Sequence, residues 1–271
     1  MSSSEERPPI HAVTIGESGS PIVFLHGLFG QGKNFTQAAK ALTPEFRSVL
    51  VDLPNHGRSA WTEQVDYEDQ ADRVASFLRQ DVAADGPVDL VGHSMGGKVA
   101  MVLTLRHPDL VRRLVVVDIA PVGTKESAAE GSGEFEHLLG SLARVDLATL
   151  NRRGDADDFL AEPIPDPRVR GFLLQNLRSG PDGFAWQANL DLLRRDLATI
   201  GGFPEHDGTF DGPVLWMAGE RSGYITEAYE PAMRRLFPRT TLVTIKGAGH
   251  WVHSEQPEAF VSALRVFLTA D

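Results

Sequence analysis

The sequence predicts an α/β fold: a mostly parallel central sheet flanked by helices, with a helical cap inserted before the last two strands. Three observations predict this fold. Short apolar segments recur along the chain, amphipathic helical patterns separate most of them, and one long stretch, residues 121–206, carries helical patterns alone. Strands that alternate with helices are typical of βαβ units, and such units build parallel sheets.

Seven segments have the length and apolar composition of buried strands. They are His11–Ile15, Ile22–Leu25, Ser48–Val51, Val88–Val91, Leu114–Val117, Val214–Met217 and Thr241–Ile245. Between the third and fourth of these, apolar residues from Tyr67 to Leu78 repeat at helical spacing, as do those from Phe260 to Leu268. A chain of 271 residues can bury such a core within one large α/β domain.

The stretch before the last two strands predicts a separate structural unit. We expect residues 1–120 and 207–271 to form the core, and residues 121–206 to form a helical cap over the strand edge. The cap begins with a small and polar segment, Gly123–Gly133, and contains no convincing strand. Its amphipathic patterns are Phe135–Leu150, Val169–Leu177 and Phe184–Leu197.

Composition and charge exclude several classes of partner. The formal net charge of −11 argues against nucleic acid or an anionic membrane as a partner. The chain has no cysteine, which excludes disulfides and thiolate metal sites. The first residues do not resemble a secretory signal, and no apolar run is long enough to span a bilayer. We expect cytoplasmic residence, as a monomer or a small homo-oligomer.

The chain lacks the motifs of common metal and nucleotide sites. No two histidines have ligand spacing on one face, and the scattered aspartates do not form a calcium loop. Neither G-x-G-x-x-G nor G-x₄-G-K-[ST] occurs. We therefore expect no metal and no cofactor, and a small molecule as the substrate.

The most informative segment is Gly92-His93-Ser94-Met95-Gly96, which follows a short apolar strand and precedes an apolar helical stretch. A G-x-S-x-G motif in this setting is typical of a sharp turn that exposes its serine at the carboxyl edge of the sheet. The flanking glycines avoid the clash that a Cβ atom would cause in such a turn. The motif predicts that Ser94 is a catalytic nucleophile.

A serine nucleophile needs a base to take its proton, and a histidine usually serves. His250 lies in the loop Gly247–Trp251, directly after the last apolar strand and before the terminal helix. That loop is expected at the same sheet edge as Ser94. The chain order of serine, acid and histidine also fits this scaffold, so His250 is the predicted base.

Two carboxylates could orient His250. Asp118 ends the apolar segment that follows the Ser94 motif, and we favour it because such a strand ends at the predicted catalytic edge. Glu220 follows the next-to-last strand, where many enzymes of this build have their acid. Ser222 stands where an aspartate would be expected there, and it is a candidate secondary hydrogen-bond partner of the imidazole.

A tetrahedral intermediate needs two N–H donors for its oxyanion. Met95, which follows the nucleophile at the start of its helix, is one expected donor. The loop after Ile22–Leu25 should provide the other, and there Leu28 is the first choice and Phe29 the second. Loss of one such donor typically lowers the rate by ~10²–10³.

Several short motifs occur in a family-specific order. They are His26-Gly27, Asp52 to Gly57-x-Ser59, Gly92–Gly96 and Gly249-His250, with finer matches in His26–Gly30, Asn55–Gly57, Gly92–Lys98, Val117–Pro121 and Phe184–Leu190. With them the chain resembles the α/β-hydrolase superfamily over nearly its whole length. Within it the chain resembles the YbfF-type bacterial esterases and their ABHD11-like mitochondrial relatives. Glu220-Arg221 departs from that subgroup's Gly-Asn pair, whereas Ser222 matches its pattern.

The resemblance implies the α/β-hydrolase fold and a cofactor-free serine hydrolase, a carboxylesterase that cleaves small acyl esters or thioesters. It also favours Asp118 as the acid of a catalytic triad with Ser94 and His250. In the cap, we expect part of the acyl pocket to come from apolar side chains, each of which could instead face the cap's own core. These are Phe135, Leu138, Leu173, Leu177, Trp186 and Leu190.

Other activities could use the same residues. A perhydrolase, a haloperoxidase-like enzyme or a hydrolase of carbon–carbon bonds would share the triad, and a comparison of ester and diketone substrates would separate them. A dehalogenase is disfavoured because it needs a carboxylate at the position of Ser94. A non-catalytic binding protein on a hydrolase scaffold usually lacks the nucleophile or the histidine, and both are present here.

Overall fold

Seven strands of the computed structural model, which describes residues 9–123 and 131–270, form the central sheet. They are β1 (His11–Ile15), β2 (Ser20–Leu25), β3 (Phe46–Asp52), β4 (Val88–His93), β5 (Val111–Val117), β8 (Val214–Gly219) and β9 (Thr240–Ile245). Their order in the sheet is β1-β3-β2-β4-β5-β8-β9. The first strand is antiparallel to its neighbour and all other pairs are parallel. The predicted α/β fold with a mostly parallel sheet is confirmed.

Each predicted strand is present, and most are longer than predicted by one to three residues. Apolar side chains cover both faces of the sheet, as expected of parallel strands. Ile22 and Phe24 of β2 lie on one face, whereas Val23 and Leu25 lie on the other. All six residues of β4 are buried. The unbroken apolar runs in the sequence therefore correspond to strands that are covered on both faces.

Helices cover both faces of the sheet. They are α1 (Thr36–Leu42), α2 (Tyr67–Phe77), α3 (Met95–Arg106), α9 (Glu230–Leu236), α10 (Val252–Glu255) and α11 (Pro257–Leu268). On one face α2 and α3 pack against the sheet, and on the other face α1 and α11 do so. Helix α3 is buried along ten of its twelve residues because neighbours enclose it on nearly every side.

Residues 131–206, here called the inserted segment, lie between β5 and β8. They form α4 (Gly131–Ala143), α5 (Arg153–Leu160), α6 (Pro167–Leu174), β6 (Leu177–Gly180), β7 (Gly183–Trp186), α7 (Leu190–Arg195) and α8 (Leu197–Gly201). The two strands pair as an antiparallel hairpin, so the expectation that this stretch contains no strand is wrong. Each strand has only four residues, and three of the four in β6 are exposed. β7 alternates half-buried Phe184 and Trp186 with exposed residues, but a single alternating pair is too short a pattern to indicate a strand.

Some sequence expectations lie outside the described residues. The start of the chain, residues 1–8, is among these, as are residues 124–130 within the small and polar segment Gly123–Gly133. Among the helices of the described ranges, none combines the length and apolar character needed to cross a membrane.

The register of the sheet brings the ends of its central strands together. Leu25 of β2 pairs with Gly92 of β4, which in turn pairs with Val116 of β5. Val116 pairs with Trp216 of β8. Because these strands are parallel, the loops at their carboxyl ends share one edge of the sheet, where ligand sites of open α/β sheets form.

Candidate active site

Ser94 lies at the turn between β4 and α3, in a conformation that few residues adopt. Its φ of 53° and ψ of −122° fall outside the common regions for a residue with a side chain. A Cβ atom on Gly92 would lie 2.3 Å from the carbonyl oxygen of Gly96, and one on Gly96 would lie 2.4 Å from that of Leu25. The two glycines are therefore required for the turn that presents the serine hydroxyl.

The structure brings Ser94, His250 and Asp118 together in one hydrogen-bonded chain. His250 Nε2 lies 3.0 Å from Ser94 Oγ, and His250 Nδ1 lies 2.8 Å from Asp118 Oδ2. Asp118 is fully buried, whereas the side chain of His250 retains 16% exposure. With Nδ1 protonated toward the carboxylate, Nε2 is left free to accept the proton of the serine hydroxyl.

The carboxylate of Asp118 is held by two further donors. The backbone N–H of Gly219 donates to Oδ1 at 2.9 Å, and the Ser222 hydroxyl donates to Oδ2. The expectation that Ser222 bonds the imidazole is wrong: the hydroxyl reaches the carboxylate, which lies between the serine and the ring. The other carboxylate considered, that of Glu220, instead accepts a hydrogen bond from the N–H of Gly247 at 2.9 Å.

The backbone N–H groups of Leu28 and Met95 lie beside the serine and have no acceptor among the hydrogen bonds of the described residues. Both residues line the same cavity as Ser94. By contrast, the N–H of Phe29 donates to His56 Nε2 at 3.3 Å. Because the Phe29 N–H is already hydrogen-bonded, it is less suited to bind an oxyanion than the N–H groups of Leu28 and Met95.

Two buried histidines brace the loop that contains Leu28. His26 accepts a hydrogen bond from the N–H of Leu53 at 2.9 Å and donates from Nδ1 to the Gly27 carbonyl at 2.8 Å. His56 donates to the Pro54 carbonyl at 3.0 Å. Burial lowers the pKa of His26 to about 4 and that of His56 to about 3. Both rings are therefore neutral near neutral pH, as their accepted hydrogen bonds require.

Two further histidines lie near His250: His93 is buried and His253, whose ring centroid is 4.9 Å from that of His93, is half-buried. His93 Nε2 donates to the His250 carbonyl at 2.8 Å, and its ring centroid lies 4.9 Å from that of His250. Burial is the main cause that holds the pKa of His93 well below its usual value, and burial lowers the pKa of His253 to about 4. Both neighbouring rings are therefore neutral near neutral pH.

A cavity of about 560 Å³ opens beside Ser94. Its wall comes from the core and from the inserted segment, and it is mostly apolar, with Lys98, Glu136, Arg194 and Arg195 as its charged members. It includes Leu28, Ile119, Val122, Phe135, Leu197, Ile200 and Tyr224. Of the six apolar residues expected to form the acyl pocket, only Phe135 lines this cavity. Leu138, Leu173, Leu177 and Leu190 are buried and Trp186 is half-buried within the hydrophobic core.

Lys98 reaches from α3 into the wall of the same cavity and is 3% exposed. Its ammonium donates to the carbonyl oxygens of Gly201 at 2.6 Å, Gly202 at 2.8 Å and Ile200 at 3.2 Å. Burial lowers its pKa to about 7. Lys98 thus connects α3, the helix that begins after Ser94, to the end of α8, about a hundred positions away along the chain.

A metal site is not evident in the part of the chain that the structure describes. There, no three His, Cys, Asp or Glu side chains are grouped as ligands for an ion. The arrangement at Ser94 can instead perform nucleophilic chemistry with protein groups alone, since it combines a hydroxyl, an adjacent base and two free N–H donors.

Comparisons with known proteins agree with this fold. A model of the alpha/beta hydrolase family matches residues 22–263. The sn-1-specific diacylglycerol lipase ABHD11 of Mus musculus is 39% identical over 253 residues, which cover 91% of this chain and 80% of that protein. Esterase YbfF of Escherichia coli (strain K12) is 31% identical over 251 residues, 93% of this chain and 94% of that protein. The structure of a marine microorganism esterase has a TM-score of 0.92 and 34% identity, and covers 96% of this chain and 99% of its own.

Proposed function

Because this chain belongs to the alpha/beta hydrolase family and is an ester hydrolase, we propose that it cleaves small acyl esters through an acyl-enzyme intermediate on Ser94. The observation that carries the proposal is the chain of contacts from Ser94 Oγ to His250 Nε2 at 3.0 Å and from His250 Nδ1 to Asp118 at 2.8 Å. A nucleophile, a base and an orienting acid in this geometry are the parts that acyl transfer needs.

In the first step, Ser94 Oγ attacks the ester carbonyl while His250 takes its proton. Asp118 holds the imidazole in the tautomer with Nδ1 protonated and stabilises the imidazolium that forms. The carboxylate is suited to this role because it is fully buried and also accepts from Gly219 and Ser222. Its position is therefore fixed before the substrate binds.

The negative charge on the substrate oxygen is stabilised by the N–H groups of Leu28 and Met95. Met95 is the first residue of α3, so its N–H also lies at the positive end of the helix dipole. His250 then protonates the leaving alcohol, or the leaving thiol of a thioester. In the second step it activates a water molecule that releases the acid from Ser94.

We propose that the apolar cavity beside Ser94 binds the acyl chain. Its volume of about 560 Å³ and the side chains of Val122, Phe135, Leu197 and Ile200 suit a chain without charge. We propose that the described residues of the inserted segment act as the cap of this pocket, and that the described residues before and after that segment form the core. The name of ABHD11 as a diacylglycerol lipase refers to that relative; for this protein we propose small acyl esters.

The test is hydrolysis of p-nitrophenyl esters from acetyl to decanoyl by the wild type and by Ser94→Ala in parallel. We expect turnover that peaks at short chains, because small acyl esters are the proposed substrates, and a loss in the variant of at least ~10³. Activity that survives in Ser94→Ala would reject Ser94 as the nucleophile. A wild type that hydrolyses none of the esters would reject small acyl esters as the substrate class.

A further inference from the structure

Asn176 connects the inserted segment to the loop that contains the proposed oxyanion donor. It lies between α6 and β6 and is fully buried. Its Nδ2 donates to the carbonyl oxygen of Phe29 at 2.8 Å. A second amide, Gln175 Nε2, donates to the same oxygen at 3.3 Å. The Phe29 carbonyl oxygen therefore accepts hydrogen bonds from two side-chain amides in a segment almost 150 positions away along the chain.

The loop itself is held in a strained conformation at this residue. Residues Gly27 to Gly30 form a turn, closed by a hydrogen bond of 2.9 Å from the N–H of Gly30 to the carbonyl of Gly27. Phe29 is the third residue of the turn and has a φ of 63°, in the left-handed region where glycine is usual. A non-glycine residue keeps such a conformation only when its surroundings fix it.

The contacts of Phe29 supply that constraint from both sides. Its N–H donates to His56 of the core at 3.3 Å, and its carbonyl accepts from Asn176 and Gln175 of the inserted segment. The ring is 1% exposed. Leu28 directly precedes Phe29, so the direction of the Leu28 N–H depends on the geometry of the turn. Release of the Phe29 carbonyl would let the turn relax and move that N–H.

We propose that Asn176 is a positioning residue for the reaction: through the Phe29 carbonyl it fixes the Leu28 N–H at the place where the oxyanion forms. The inference rests on the proposed function, because it assumes that Leu28 donates to that oxyanion. It assigns to the inserted segment a part in transition-state stabilisation, in addition to forming the pocket wall.

The chain offers a substitution that removes this contact, together with the bond of 3.1 Å that the same Nδ2 donates to the Leu173 carbonyl. In Asn176→Asp, the retained oxygen can still accept the hydrogen bond that Gln31 Nε2 gives to Asn176 Oδ1 at 3.0 Å. The variant keeps the shape of the side chain but loses the N–H donor to Phe29. Gln175→Glu likewise removes the second N–H donor to the Phe29 carbonyl. It keeps the side-chain oxygen that accepts a hydrogen bond from Asn34 Nδ2 at 2.9 Å.

Asn189→Asp is the matched control. Asn189 also belongs to the inserted segment, and its Nδ2 donates to Asn55 Oδ1 at 3.3 Å, in the loop after β3. Its backbone N–H separately holds the Asn55 carbonyl at 2.9 Å, so that loop stays attached when the side-chain donor is lost. This control removes an amide donor from the same segment without touching the Phe29 carbonyl.

The experiment measures kcat and KM for p-nitrophenyl butyrate. The concentration of active sites, by which kcat is calculated, comes from the burst of p-nitrophenol. A second measurement is the inhibition constant of a butyl trifluoromethyl ketone. We expect Asn176→Asp to lower kcat by about 10- to 100-fold with KM nearly unchanged. Complete loss of an oxyanion donor lowers the rate by ~10²–10³, and displacement of the Leu28 N–H should lower it by less. The inhibitor, which forms an oxyanion on the serine, should bind more weakly by a similar factor. We expect Asn189→Asp to leave both values within about twofold.

The pH dependence adds a readout that a purely structural role would not change. In Asn176→Asp, the introduced carboxyl group could donate an O–H to the Phe29 carbonyl when it is protonated, and burial raises the pKa of a carboxyl group. The activity of Asn176→Asp relative to wild type should therefore recover as the pH falls from about 8 toward 6. If Asn176→Asp does not fold, Gln175→Glu, at a half-buried residue, carries the test with a smaller expected loss.

Two results would overturn the inference: a wild-type kcat per active site in both variants, or a rise in KM without loss of kcat. Either can occur while the wild-type activity still depends on Ser94, so the proposed function would stand. Activity that survives in Ser94→Ala would instead remove the proposed function and this inference with it.

Discussion

Asp118 and His250 are 132 positions apart in the chain, yet Asp118 Oδ2 lies 2.8 Å from His250 Nδ1. The register of the sheet accounts for this contact, because β5 and β8 pair up to Val117 and Met217 and the loop after β9 reaches the same edge. Ser222, after β8, donates to the carboxylate of Asp118. Asp118, the proposed acid, thus follows the strand after the one that ends at Ser94, the proposed nucleophile. The Ser222 hydroxyl lies after the next-to-last strand.

The first prediction concerns Asp118→Asn. The variant keeps the size of the side chain but cannot stabilise the imidazolium, and it can hold His250 in the wrong tautomer. We expect kcat to fall by ~10⁴ with little change in KM. Glu220→Gln is the control, since Glu220 contacts the backbone of Gly247, and its kcat should stay within about twofold of wild type. Equal losses in the two variants would contradict the assignment.

The second prediction concerns Ser222→Ala. The variant removes one donor to the Asp118 carboxylate while the Gly219 N–H remains at 2.9 Å. A hydrogen bond to a charged group contributes about 1.5–3 kcal/mol, and part of that loss should appear in the transition state. We expect kcat to fall about 10-fold, which corresponds to ~1.4 kcal/mol. In Ser254→Ala, which removes an exposed hydroxyl bonded to Trp251, kcat should not change. An unchanged kcat in Ser222→Ala would show that the hydroxyl is dispensable.

The third prediction concerns the length of the acyl chain. Leu197 of α8 is half-buried and lines the cavity beside Ser94. Leu197→Trp should fill part of the cavity, so that kcat/KM falls at least about 10-fold for decanoyl and octanoyl esters but little for acetyl esters. Thr199→Trp is the control because Thr199 is an exposed residue of the same helix. A uniform loss across the ester series would argue against acyl binding in this cavity.

The fourth prediction concerns stability at acidic pH. Burial lowers the pKa of His26 to about 4, of His56 to about 3 and of His253 to about 4, against 6.5 for an ordinary histidine. Below pH 6.5 the unfolded chain takes up protons that the folded protein does not bind. The contribution to stability is therefore full above pH 6.5 and is lost as the pH falls toward about 4. Over that range, each histidine reduces the free energy of unfolding by up to about 1.4 kcal/mol for every unit that the pH falls.

Urea denaturation between about pH 7.5 and pH 5 measures this slope. The ring of His253 packs on Phe35 and Phe260, so His253→Phe keeps the aromatic packing and should reduce the slope by the contribution of one histidine. His137→Gln is the control, because His137 is an exposed residue of α4. A slope that is the same in His253→Phe and in wild type would show that His253 is not the source of this proton uptake.

The inner strands of the sheet could be predicted from the sequence because they are buried on both faces and so read as unbroken apolar runs. Examples are Leu114–Val117 of β5 and Val214–Met217 of β8. The turn at Ser94 could also be predicted, since only glycine fits at Gly92 and Gly96. These features depend on local sequence.

The remaining features depend on contacts between distant segments. The hairpin of β6 and β7 is short and largely exposed, and Phe184 and Trp186 are its one alternating apolar pair. The partner of Ser222 depends on where Asp118 lies, and the three carbonyl acceptors of Lys98 come from the end of α8. No local pattern identifies Asn176, because an asparagine before a short strand is typical of any turn.

The central claim is that Ser94 carries the acyl group, and mass spectrometry of the reacting enzyme tests it most directly. The wild type is mixed with p-nitrophenyl butyrate, quenched in acid during the burst, digested and mapped. We predict one butyryl group on the peptide that contains Ser94, and none on that peptide in Ser94→Ala. A butyryl group on another residue, with Ser94 unmodified while the enzyme turns over, would contradict the account.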